Sequence, residues 1–235
     1  MKNLLLTATL IICMGASAQI VRTSTPEPLL RGTQSDMYYP SISEDGRYLS
    51  FTDAQFGNRR VYDFVDNVTV MAEKADAATM RAITAKTRIT ARTEGSELII
   101  TNNDTETRVS PVESYAGYLW PSVSPDGKHV MFVAAGQGIV ITDLKGNIIA
   151  RPGNRRLEAP VWFGNNHIVA MNTTDDGHNI ESSQIIMLSM DGKETQALTK
   201  PESMTMFPAA DSKSGRIVWN TIDGRLYQVK VELIK

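Results

Sequence analysis

Beyond its first eighteen residues this chain has no cysteine: the single one, Cys13, lies in an apolar stretch near the start. A disulfide framework and a thiol nucleophile are therefore both excluded from the body of the protein. An excess of charge is also missing, since 24 basic residues face 26 acidic ones for a formal net charge of −2. With the two signs interspersed, there is no basic field to attract nucleic acid or anionic lipid. After residue 18 no run approaches the roughly 20 apolar residues of a membrane-spanning helix, and no helix of useful length is read. The three histidines, His129, His167 and His178, lack the paired spacing of a zinc site. The nucleophile elbow G-x-S-x-G does not occur, and no glycine loop leads into a helix to cradle phosphate.

What is present begins with a targeting signal. Lys2, the apolar run LLLTATLIICMG and then Ala16-Ser17-Ala18 before Gln19 match the basic, apolar and small-x-small regions of a secretion signal spanning residues 1–18. A lipid anchor at Cys13 is disfavoured because Ile12 stands where that signal requires a small residue. The expectation is an exported protein of the periplasm or cell surface of a Gram-negative bacterium, with one domain over residues 19–235.

Within that domain the chain repeats itself. Residues 38–51 read YYPSISEDGRYLSF and residues 118–132 read YLWPSVSPDGKHVMF. In the second copy, Ser124-Pro125-Asp126-Gly127 carries the proline, aspartate and glycine of a tight turn between two alternating segments, which is a β-hairpin pattern. FPAADSKSGRIVWN and APVWFGNNHIVAMN repeat the plan with Gly215 and with Asn165-Asn166 at the turn. Pro40, Pro121, Pro160 and Pro208 mark the starts of these units at separations of 81, 39 and 48, so a further unit is expected inside the first gap. Residues 96–111 align without a gap on residues 137–152, and MRAITAKTRITART upstream is expected to give the missing hairpin.

That makes five units of about 40 residues. The third has predicted strands at 119–124, 129–134, 139–144 and 148–151. The fifth has strands at 206–210, 216–220 and 225–232 and lacks a fourth. Four short antiparallel strands per unit of this length predict an all-β, five-bladed β-propeller, with a degenerate sixth blade as the alternative. PEPLLRGTQSDMYYP at 26–40 parallels TQALTKPESMTMFP at 195–208. The N-terminal strand is thus expected to complete the last blade and close the ring, which also protects sheet edges.

WPSVSPDGKHVMF and YPSISEDGRYLSF resemble the Pro-x-x-Ser-Pro-Asp-Gly-Lys-x-Ile-x-Phe repeat of the TolB-like, WD-type propeller superfamily. IIMLSMDGKETQALT is similar to that superfamily's outer-strand pattern. The resemblance is closest in units one and three and faintest in unit two, and it implies a fold without a particular chemistry. The resemblance implies a six-bladed propeller with an added N-terminal domain for the family's namesake, and neither that domain nor an evident sixth blade is read here.

No set of residues converges for catalysis. Asp45 and Asp126 are turn residues, and only Asp211 stands near a first strand, short of the paired carboxylates of a glycosidase. Oxygen-bearing residues at 172–179 have a spacing suggestive of calcium but lack a distal glutamate, and an ordinary hairpin loop is the expectation. No enzyme activity, metal or cofactor is expected.

The connections between blades should gather on one face. These are Asp36, Met37, Tyr38 and Tyr39 before blade one, Met80 and Arg81 before two, and Tyr115, Tyr118 and Trp120 before three. Arg155, Arg156 and Glu158 precede blade four, and Met204, Met206 and Phe207 precede five. Asp36, Tyr38, Arg81, Tyr115, Tyr118, Arg155, Arg156, Glu158, Met204 and Met206 are the candidate partner-binding residues, being rich in the types enriched at interfaces. Tyr39, Trp120 and Phe207, beside prolines, are expected to pack between blades. The reading is a monomeric scaffold for an envelope protein or peptide, with a carbohydrate-binding or carbohydrate-active propeller as the alternative.

Overall fold

The computed structural model describes residues 20–30, 35–84, 88–114 and 116–234. The predicted secretion signal lies outside them. In chain order the first strands are β1 (Val21–Thr23) and β2 (Glu27–Pro28), followed by β3 (Tyr38–Ile42), β4 (Tyr48–Thr52), β5 (Arg60–Asp63) and β6 (Val68–Met71). One helix, α1 (Ala77–Thr84), precedes β7 (Ile89–Glu94), β8 (Glu97–Asn102) and β9 (Thr105–Val109). Next come β10 (Tyr118–Val123), β11 (His129–Ala134), β12 (Gly138–Asp143) and β13 (Ile148–Ala150). The chain continues with β14 (Leu157–Phe163), β15 (His167–Asp175), β16 (Ile180–Ser189), β17 (Thr195–Ala197), β18 (Thr205–Asp211), β19 (Arg216–Thr221) and β20 (Leu226–Leu233).

These strands form five antiparallel sheets, each a blade: β3 to β6, β7 to β9, β10 to β13, β14 to β17, and β18 to β20 joined by β1 and β2. The five-bladed propeller is as expected, and so is its closure. Val21 pairs with Leu233 and Glu27 with Gln228, both antiparallel. The N-terminal segment is therefore the outer strand of blade five, broken by a short bulge at residues 24–26. Gln196 of blade four clamps it: its Oε1 accepts from the Ile20 and Val21 amides at 2.7 and 2.9 Å, and its Nε2 donates to the Val21 carbonyl at 3.0 Å.

The hairpin turns form for the reason read from their letters. The Ser43 hydroxyl donates to Asp45 at 2.6 Å and accepts the Tyr48 amide at 2.9 Å. Ser124 does the same with Asp126 and His129 at 2.7 and 3.0 Å. Both aspartates bend backbone and are occupied in doing so.

Four apolar clusters seal four of the blade-to-blade contacts. One joins blades four and five through Met171, Ile185, Ile217 and Trp219, and it includes Ile20 and Val21 of the latch. Others join three with four, two with three, and five with one. No such cluster joins blades one and two among the described residues.

That exception traces to a correction. Among the described residues of 80–93 there is no hairpin: blade two shows only its second, third and fourth strands, and α1 takes the sequence position of the first. The composition explains the switch. Ala77, Ala78, Met80, Arg81 and Ala82 favour helix, and Asp76 caps it, its Oδ1 accepting the Thr79 amide at 2.7 Å as an N-cap residue should. Unlike the first strands of the other blades, the segment has no proline to shape its inner edge. Arg59 reaches from blade one to the Ile83 carbonyl of α1, yet no helix residue is fully buried. No helix among the described residues is long and apolar enough to cross a membrane.

Candidate functional site

Among the described residues four blades have a first strand, which runs down the inner edge of the ring, and all four share a feature that the proline spacing alone did not announce. Tyr39, Trp120, Ala159 and Phe207 each precede the blade's proline and have φ of 53°, 49°, 44° and 47°. In every case the register with the second strand slips at that point. Positive φ at a bulky residue is costly, of order 1–3 kcal/mol, and such bulges re-aim a side chain. Repetition in four blades makes this a built device: it swings one side chain per blade out of the ordinary alternation. Blade two shows no first strand among the described residues and so has no such residue; the register of its second and third strands, β7 and β8, is unbroken.

Three of the four re-aimed side chains are aromatic. Tyr39 and Phe207 meet across the contact of blades one and five with ring centroids 4.7 Å apart, and Phe56 stacks on Tyr39 at 4.2 Å. Trp120 is 38 % exposed and does not pack away between blades as its position beside a proline suggested. Ala159 leaves the position in blade four small.

The connections between blades and the loops joining second to third strands share one face and are stitched together. The Tyr38 hydroxyl donates to the Ile222 carbonyl at 3.1 Å, the Met37 amide to the Gly224 carbonyl at 2.9 Å, and the Ile222 amide to the Met204 carbonyl at 3.0 Å. Gln137 donates to the Glu113 carbonyl at 2.5 Å. Large apolar side chains stay in solvent on this face: Phe56 is 71 %, Leu119 43 % and Ile222 50 % exposed. Phe56 and Ile222 stand on the loops joining second to third strands, outside the blade-to-blade connections from which the sequence candidates come. A lone large apolar residue beside Gly57-Asn58 or Asp223-Gly224 was the available signal.

The sequence-derived candidates divide. Asp36, Tyr38 and Met204 lie on the rim. The Asp36 carboxylate accepts the Ala54 amide at 3.2 Å and its carbonyl takes the Arg60 guanidinium. Burial, then the charges of Asp36 and Asp223, push the Tyr38 phenol above its ordinary value. Arg155 and Arg156 are exposed there, Arg156 with a hydrogen bond to Thr174 at 3.4 Å. Glu158 is half-buried beside them, and burial followed by the nearby Asp175 carboxylate raises its pKa. Met206 leans on the core between blades four and five.

Two candidates move. Tyr118 is only 3 % exposed, and its hydroxyl donates to the Val112 carbonyl at 2.5 Å, so it is a core residue of blades two and three. Arg81 stands exposed on α1, the helix that replaced the expected hairpin. Tyr115 lies outside the described residues.

At the loop suggestive of calcium, Asp175 and Asp176 accept the amides of Gly177, His178 and Asn179 at 2.7–2.9 Å, which is the geometry of an ordinary hairpin tip. Among the described residues, no group of three His, Cys, Asp or Glu could hold a metal ion. A cleft of about 630 Å³ opens elsewhere, between blades four and five, lined by Pro26, Leu198, Thr199, Trp219 and Tyr227. None of the sequence-derived candidates lines it.

No family model matches the chain, and no curated protein matches it. Among solved structures it is similar to a putative TolB from Agrobacterium tumefaciens, with 16 % identity, a TM-score of 0.44, and coverage of 80 % of this chain and 70 % of that one. It is also similar to the tricorn protease, with 12 % identity and a TM-score of 0.38 over 81 % of this chain. The chain spans 24 % of the length of the tricorn protease.

Proposed function

We propose that the chain is a non-catalytic propeller scaffold that binds a protein or peptide of the bacterial cell envelope on its aromatic rim. The observation that carries the reading is the repeated strained bulge, which places Tyr39, Trp120 and Phe207 at the inner edge beside the exposed Phe56, Leu119 and Ile222. The exposed apolar groups of this face favour a protein partner, and aromatics with Arg155 and Arg156 nearby are the types that dominate binding energy. The predicted secretion signal supports export to the periplasm or cell surface.

The test is a Phe56→Ser, Trp120→Ala double variant, compared with the parent chain for proteins retained from an envelope extract. A specifically retained protein should be lost while the variant's melting temperature holds. Full recovery of every specifically retained protein would overturn the reading. The exposed indole of Trp120 also favours a second reading, a sugar-binding propeller, because sugar rings stack on aromatic faces. Saturable glycan binding that depends on Trp120 would select it.

A further inference from the structure

The cleft of about 630 Å³ between blades four and five is built from three pieces of the latched joint. Trp219 and Tyr227 are cross-strand partners on β19 and β20, so their side chains stand together on the face of blade five that meets blade four. Leu198, just past the end of β17, lies across from them, and Pro26 lines the cleft from the break between β1 and β2. The 3-10 turn Pro201–Ser203 brings the exposed Lys200 to the mouth. A cleft of this volume, with an apolar lining and a few placed polar groups, has the form of a small-molecule site.

Its polar groups sort into engaged and free. The Thr199 hydroxyl accepts the Ile185 amide at 2.8 Å and lies 2.7 Å from the Thr205 hydroxyl, and Thr221 donates to Asp223. Trp219 differs: it is only 2 % exposed, yet its indole N–H has no acceptor among the described residues. A buried indole normally has one. That nitrogen is not sealed off as the orphaned Arg216 Nε and Asn220 Oδ1 of the same blade are, so the donor opens on the cleft. The Tyr227 hydroxyl beside it and the Lys200 ammonium also have no protein partner among the described residues. Among those residues Lys200 is the only charged side chain of the lining. Free donors and a cation, without a carboxylate, make the cleft complementary to a negatively charged acceptor.

We propose that this cleft binds a small amphiphilic acid, its apolar body against Leu198, Pro26 and Tyr227 and its carboxylate accepting from the Trp219 indole and neutralised by Lys200. The flexible four-carbon stem of lysine lets the ammonium follow the carboxylate inward. The site shares no residue with the aromatic rim and does not depend on the function proposed above.

The experiment titrates decanoate into the isotope-labelled chain and follows the indole N–H resonances of Trp120, Trp162 and Trp219. Saturable binding should move the Trp219 resonance downfield, as a newly gained acceptor requires, and leave the other two in place. Decanol and decyltrimethylammonium, with the same apolar chain, should bind more weakly. Lys200→Met, at an exposed position, should weaken decanoate about fivefold and leave decanol unchanged. No saturable shift at Trp219, equal affinity for the cationic amphiphile, or indifference to Lys200→Met would overturn the proposal. So would a shift confined to Trp120, which would put the acid on the rim instead.

Discussion

The contact between blades four and five and the contact between blades one and two are the same joint built in opposite ways. The first buries Ile20, Val21, Met171, Ile185, Ile217 and Trp219 and is clamped by Gln196. The second sets a helix without a fully buried residue against blade one and turns a charged surface of blade two toward it. On that surface Arg92, Glu94, Glu97, Glu106 and Arg108 pair with one another at 2.8–4.0 Å, all about half-exposed. Exposed pairs of this kind contribute about 0–1 kcal/mol each, far less than an apolar joint. A ring of repeats is thus as strong as its least apolar contact, and here strength is concentrated where the chain ends meet.

The contrast can be broken most forcefully at Trp219. Trp219→Ala should cost about 3–5 kcal/mol by leaving a cavity in the latched joint, readable as a lower denaturant midpoint. Gln196→Ala should cost less, about 1–3 kcal/mol, by stranding the amides of Ile20 and Val21, and should expose the N-terminus to proteolysis before the rest of the chain.

Acid should act on blade one at the weaker joint. The Arg47 guanidinium, 2.7 Å from Asp63, holds that carboxyl below its usual value, with the Val65 and Asp66 amides assisting. A depressed folded-state pKa means stabilisation that is present above the unfolded value, about 4, and lost as pH falls through the folded one. Melting temperature should therefore drop on acidification below about pH 4, and Asp63→Asn should flatten that dependence. The smallest effect belongs to Asp76→Ala: the helix should lose about 0.5–2 kcal/mol locally, with the global midpoint moving by under about 0.5 kcal/mol.

Why the two joints were unequally legible is physical. Proline, turn aspartate and glycine act locally, so Pro121 and Asp126-Gly127 announced their strands at once, and residues 129–134 form a strand over the span read for it. The latch could be read because residues 26–40 repeat the outer-strand pattern of 195–208. Residues 80–93, the opening of unit two, offered no proline or glycine, and the missing signal was itself the message: without it, alanine-rich residues 77–84 follow their own propensity. Reading a repeat across them overrode that preference. The rim was half-legible for a related reason. A residue before proline normally stays extended, so nothing in one copy suggests positive φ at Trp120. Tyr118, two residues earlier, was misplaced because alternation cannot tell which aromatic turns inward when a bulge intervenes.

Amide hydrogen exchange under native conditions tests the central claim most directly, because it reads both joints in one experiment. The account predicts fast exchange and low local stability in α1, against slow exchange at Val218 and Trp219 of β19 in the latched blade. A helix as protected as β19 would contradict it.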